Sequence, residues 1–190
     1  MSKHSVDTPT LPMEHPDLPF RLHVCSKNQV KKAAKRHGVT HVLTMLDPSD
    51  RLFLPPSVER GNHFALYFED EEKHTAYAAP ERPHMEAALA WASKVPVGST
   101  LLVHCRAGRR RSTAVALALL VRFLGVERLD EAVALLTGNR PEAAPNRLMA
   151  HYADQLLGTG GRLLLAVQAL LDARYEPGTL ANTVFTPPEP

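Results

Sequence analysis

Cys105 and Arg111 stand in the run His104-Cys105-Arg106-Ala107-Gly108-Arg109-Arg110-Arg111-Ser112-Thr113. A thiol, several guanidiniums and a glycine in one short stretch are the parts of an anion site that also holds a nucleophile. A tight loop here aims backbone N–H groups at one point, on the positive end of the helix that follows, and Gly108 supplies the freedom to close it. The residues from Arg106 to Arg111 then form a cradle for an oxyanion, with phosphate or sulfate as its expected occupant. Arg111 carries a planar guanidinium that grips two anionic oxygens at once. Cys105, at the base, is the nucleophile, because the thiolate is the reactive form and helix N-termini and arginine neighbours favour it. Ser112 can donate to the sulfur and ease its departure from a covalent intermediate.

Such a loop needs a strand before it and a helix after it, and the sequence provides both. Ser99-Thr100-Leu101-Leu102-Val103 reads as a buried central strand, and Ser112 to Leu124 as a helix apolar on nearly every side, closed by Gly125. Elsewhere, strand-length apolar runs alternate with segments of helical period. Phe20 to Cys25, Thr40 to Leu46 and His63 to Phe68 read as strands. Lys27 to Arg36, Pro80 to Ser93, Leu129 to Thr137, Asn146 to Leu157 and Arg162 to Arg174 read as helices. The alternation predicts an α/β fold with a central, mostly parallel sheet and helices on both faces. Prolines without apolar period mark residues 1–18 as an irregular N-terminal arm and 175–190 as an irregular tail, leaving 19–174 as a single domain.

Composition narrows the partners. Lys plus Arg number 22 against 20 for Asp plus Glu, and a net charge of +2 makes bulk attraction to nucleic acid or anionic lipid no default. The longest apolar stretch, around Ala114 to Val121, is too short to span a bilayer, and Met1 to Thr10 lacks the apolar core of a signal peptide, so a cytoplasmic protein is expected. Two cysteines, Cys25 and Cys105, build no disulfide framework and fit a thiol protein in a reducing compartment. The ten histidines show no metal-ligand spacing.

The run HCRAGRRRS resembles the H-C-x-x-G-x-x-R-[ST] signature of the protein tyrosine and dual-specificity phosphatases. Asn139-Arg140-Pro141 and Pro145-Asn146 resemble the arginine and Pro-Asn pair that precede a late helix in dual-specificity phosphatases. The likeness covers residues 20–157, and the region after Gly158 is more similar to compact bacterial members of the superfamily. Arg110 departs from the serine common at that position.

The resemblance implies a hydrolase acting on phosphate monoesters, phosphotyrosine and also phosphoserine or phosphothreonine, in a protein or a small molecule. It makes Cys105 attack phosphorus to give a phosphocysteine, while Arg111 and the loop amides stabilise the transferring group. His104 orients the loop, no metal or cofactor is required, and an aspartate protonates the leaving oxygen. Asp70, at the end of a strand, lies where the superfamily carries that acid, with Asp47 and Glu72 as competing candidates. Arg106, Arg109 and Arg110 occupy variable positions and read as a basic rim. Arg140 is either a surface residue or a second anion contact, and Cys25 is either inert or a resolving thiol. The rival readings are a non-catalytic phosphate-binding module of the same fold, a rhodanese-type sulfurtransferase, and a phosphatase for inositol phosphates, phosphoinositides or RNA 5′ ends.

Overall fold

In the computed structural model, residues 12–175 and 185–188 are described, so most of the two segments expected to be arms, 1–18 and 175–190, lies outside the described residues. The elements run β1 (Arg21–Ser26), α1 (Val30–His37), β2 (His41–Leu46), β3 (His63–Tyr67), α2 (Arg82–Ala92), β4 (Thr100–Cys105), α3 (Arg111–Leu124), α4 (Leu129–Asn139), α5 (Arg147–Leu157) and α6 (Arg162–Asp172). Each coincides with an element expected from the periodicity. The basic segment after β1 splits into a 3-10 turn over Lys27–Gln29 followed by α1.

The sheet has the order β1-β4-β2-β3, and every strand pair is parallel. Its pleat sorts the side chains into two compartments. Leu22, Val24, Leu43, Met45, Leu101, Val103 and Cys105 belong to the large core, shared with α2 through α6. Cys25, Val42 and Leu102 belong to a smaller core under α1. All six residues of β4 are buried, as the central position requires. Twelve of the residues in α3 are buried, including Arg111, Ser112 and Thr113 at its N-terminus. A helix so enclosed holds that N-terminus rigidly against the end of β4.

Within the segment expected to be an arm, Met13 is fully buried and forms an antiparallel bridge with Leu22 on the edge strand β1. At the far end of the chain, Asp154 accepts from the backbone N–H groups of Gly161 (2.8 Å) and Leu163 (3.1 Å) and from the Thr159 hydroxyl. This carboxylate satisfies donors at the start of α6 and fixes the turn from α5.

Candidate active site

Strand β4 ends at Cys105 and α3 begins at Arg111, so the intervening residues must reverse direction within a single tight loop. Where the loop carbonyls go determines where its amides point. The carbonyl of Arg106 accepts from the Lys27 N–H (3.2 Å), that of Gly108 from Arg140 Nη2 (2.9 Å), that of Arg109 from the Ala144 N–H (2.9 Å) and that of Arg110 from the Asn146 N–H (3.3 Å). With these oxygens turned outward, the N–H groups of Ala107, Arg109, Arg110 and Arg111 donate to no group among the described residues. Donors converge and acceptors diverge, which is the backbone arrangement of an anion nest.

Gly108 makes the closure possible. Its φ is +70°, and a Cβ there would lie 2.6 Å from the backbone carbon of Cys25 and the nitrogen of Ser26. Both the left-handed conformation and the contact with β1 exclude a side chain. Gly108→Ala is therefore expected to destabilise the fold by about 2 to 4 kcal/mol, from backbone strain and overpacking together. Urea or thermal unfolding measures this, and an unchanged midpoint would show that the loop closes some other way.

Cys105 is 2% exposed. Its Sγ lies 3.2 Å from Ser112 Oγ and accepts from the Gly108 N–H at 3.2 Å. Two donors thus face the sulfur, both able to stabilise negative charge on it. His104, the preceding residue, points through the sheet to the α1 side. Its Nε2 lies 2.7 Å from Thr44 Oγ1, which in turn lies 2.8 Å from His63 Nε2. Burial pushes His104 down to about 4, so the ring is neutral at neutral pH. The Thr44 hydroxyl, with one donor and two acceptor sites, joins the two imidazole nitrogens. The chain locks the orientation of His104, and with it the end of β4.

Arg111 is almost completely buried, and its contacts all use one corner of the guanidinium. Nη1 donates to the Phe68 carbonyl (2.6 Å) and pairs with Asp47 Oδ1 (2.7 Å), while the Phe68 ring lies beneath the group at 6.0 Å. Nε is buried without a partner. The edge formed by Nε and Nη2 is left with two N–H donors for an oxyanion.

The three candidate acids differ in how their oxygens are occupied. Asp47 gives Oδ1 to Arg111 and Oδ2 to Arg106 (3.2 Å). Glu72 gives Oε1 to Arg110 Nη2 (2.6 Å) and the Arg147 N–H (2.9 Å), and Oε2 to Arg147 Nε (2.8 Å). Asp70 receives Arg110 Nε (3.2 Å) and Asn146 Nδ2 (2.9 Å), both on Oδ1. Among these three carboxylates only Asp70 keeps an oxygen, Oδ2, with no protein partner among the described residues.

Arg140 and Asn146, both singled out in the sequence, and Arg147, which carries no local signal, support the site from behind. Arg140 is buried, holds the Gly108 carbonyl and pairs with Glu142 at 2.7 Å, so it supports the loop from behind. Arg147 is buried under the ring of Phe185, 5.4 Å away, and anchors Glu72. Asn146 caps α5 by accepting from the Met149 N–H and also reaches Asp70. Arg106 and Arg109 lie exposed at the rim, Arg109 donating to the Tyr175 hydroxyl at 3.2 Å. Cys25 pairs in register with His104, one residue before Cys105, and so faces the opposite side of the sheet from the nucleophile.

No protein-family model matches the chain. Human dual specificity protein phosphatase 8 is 30% identical over 111 residues, or 57% of this chain, which spans only 16% of that relative. Among solved structures, a point variant of human DUSP28 superposes with a TM-score of 0.58 at 25% identity, covering 85% of this chain and 97% of that one. A mouse putative dual specificity phosphatase complexed with zinc tungstate shares the fold, with a TM-score of 0.58, 22% identity, and coverage of 90% of this chain and 96% of that one. Loop sequence, loop geometry and these similarities agree: over its matched part the chain is similar to the dual-specificity phosphatases, and its fold is theirs.

Proposed function

We propose that this protein is a phosphatase that hydrolyses phosphate monoesters through a phosphocysteine on Cys105. The observation that carries the reading is the edge of buried Arg111 that has no partner among the described residues, set beside loop amides that have no acceptor among them either. A phosphoryl group satisfies both, with its non-bridging oxygens on the amides and the guanidinium edge and its phosphorus against Sγ.

In the first step the Cys105 thiolate forms the S–P bond as the ester P–O bond breaks, and Asp70 Oδ2 delivers a proton to the departing oxygen. In the second, the Asp70 carboxylate takes a proton from water as its oxygen attacks phosphorus. The S–P bond breaks, Ser112 Oγ donates a hydrogen bond to the sulfur, and inorganic phosphate leaves. The acid returns to its starting protonation state. A thiolate nucleophile fits a reducing compartment such as the cytoplasm, and no helix among the described residues is long and apolar enough to cross a membrane.

Charge at the mouth bears on substrate choice. Arg106 is paired with Asp47, Arg110 with Asp70 and Glu72, and Arg140 with Glu142. Three of the four loop arginines, Arg106, Arg110 and Arg111, thus have a carboxylate partner, and less positive charge is free at the mouth than the loop sequence suggests. This supports a singly phosphorylated residue, phosphotyrosine first and phosphoserine or phosphothreonine second, over inositol polyphosphates and phosphoinositides.

The test is hydrolysis of an aryl phosphate across pH 4.5 to 8 in the presence of a chelator. Asp70→Asn is expected to lower kcat by about 10² to 10⁴ and to remove the basic limb of the pH profile. Phosphate binding without turnover in the wild type would leave the non-catalytic module as the better reading.

A further inference from the structure

We propose that Arg110 is a positioning residue for the acid: its guanidinium straps the loop carrying Asp70 onto the phosphate loop before any substrate arrives. The inference rests on the phosphatase reading above. Arg110 occupies the N-cap position of α3 and was expected at a basic rim facing the ligand. Instead its side chain, half-buried, turns to the acid loop, with Nε on Asp70 Oδ1 (3.2 Å) and Nη2 on Glu72 Oε1 (2.6 Å). One planar group therefore bridges residues 70 and 72.

The same loop is tied from its other side by the start of α5. Asn146 Nδ2 donates to Asp70 Oδ1 (2.9 Å) and to the Glu71 carbonyl (3.0 Å), and Arg147 holds both oxygens of Glu72. These two anchors are themselves joined, because the Asn146 N–H donates to the Arg110 carbonyl. Phosphate loop, acid loop and α5 form a closed polar ring.

Two consequences follow for catalysis. Both donors to Asp70 approach Oδ1, so the carboxyl is oriented with Oδ2 left to carry the transferred proton. In addition, the acid loop needs no substrate-driven closure to bring Asp70 to the site, unlike enzymes in which a lid closes on the ligand. Arg110 contributes by preorganisation, and a misplacement on the order of 1 Å can cost about 10² in rate.

A role exercised through the acid has a distinctive kinetic signature, because a good leaving group departs with little help from a proton and a poor one does not. Arg110→Ser is expected to lower kcat about 10- to 100-fold on phenyl phosphate and less than about threefold on 4-nitrophenyl phosphate. In an Asp70→Asn background, Arg110→Ser is expected to add less than about twofold on either substrate. Arg110→Lys, which keeps the cation but loses the fork, is expected to recover part of the phenyl phosphate rate.

The series separates the claims. An inactive wild type overturns the phosphatase reading and this inference with it. An active wild type with an unaffected Asp70→Asn overturns the acid assignment and the role given to Arg110. If both of those hold, a loss from Arg110→Ser that is equal on the two substrates, or that multiplies with Asp70→Asn, overturns the positioning role alone.

Discussion

Cys105→Ser is expected to abolish turnover, a loss on the order of 10⁴ to 10⁶ in kcat, while inorganic phosphate still binds and the fold is retained. The substitution exchanges sulfur for oxygen in a site already built around a small buried side chain, with Ser112 Oγ and the Gly108 N–H facing the changed atom. What disappears is the nucleophile, because an alcohol in that place is un-ionised at neutral pH and no carboxylate or imidazole among the described residues hydrogen-bonds to it to take its proton. The oxyanion cradle itself depends on Gly108 and the outward-bonded carbonyls, which the change leaves alone. Steady-state kinetics and calorimetric titration with phosphate read the two halves of the expectation. Substantial turnover in this variant would dismiss the covalent mechanism.

Arg111→Lys is the second large effect. The guanidinium serves two masters at once: Nη1 secures the Phe68 carbonyl and Asp47, while the Nε–Nη2 edge faces the anion site. A lysine ammonium is a single point charge, so it can hold Asp47 or reach the phosphate but cannot do both in the required directions. The expected cost is about 10² to 10³ in kcat, as for loss of one preorganised donor to a developing oxyanion, with weakened phosphate binding alongside. Competitive inhibition by phosphate gives the binding component independently of the rate. A near-normal kcat would mean that charge alone, and not the fork, is what the transition state uses.

Much of this machinery is legible in the amino-acid sequence. The strand-loop-helix unit around Cys105 announced itself because every part is local: an apolar strand, a glycine, a nucleophile, arginines and an apolar helix in one continuous run. The element boundaries fell within a few residues for the same reason, since period and punctuation are short-range properties. What the sequence concealed is the ring of polar contacts around the loop. Arg140 to Gly108, Asn146 to Asp70 and Arg147 to Glu72 join residues far apart in the chain, and nothing in the spacing of an arginine reveals which carboxylate it will meet. The choice between Asp47, Glu72 and Asp70 turns on which oxygen of each carboxylate is left over, a matter of tertiary packing. Met13 gives no sign of being a core residue, because one buried side chain beside several prolines has no period to detect.

The placement of the two cysteines on opposite faces of the sheet has a chemical consequence for life in the presence of peroxide. A thiolate at Cys105 is open to oxidation to a sulfenic acid, and condensation with a second thiol is one way such a group is returned to service. Cys25 is the only other cysteine in the chain, but it points away through the sheet, and a disulfide needs its two Cβ atoms within about 4 Å of each other. Burial also pushes the Cys25 thiol up to about 12, so it stays protonated and unreactive. Capture of the oxidised sulfur by a thiol must therefore come through the mouth of the cradle, from a molecule small enough to enter. Rescue of an oxidised Cys105 by a thiol thus rests on the thiol pool around the protein rather than on a second cysteine of its own.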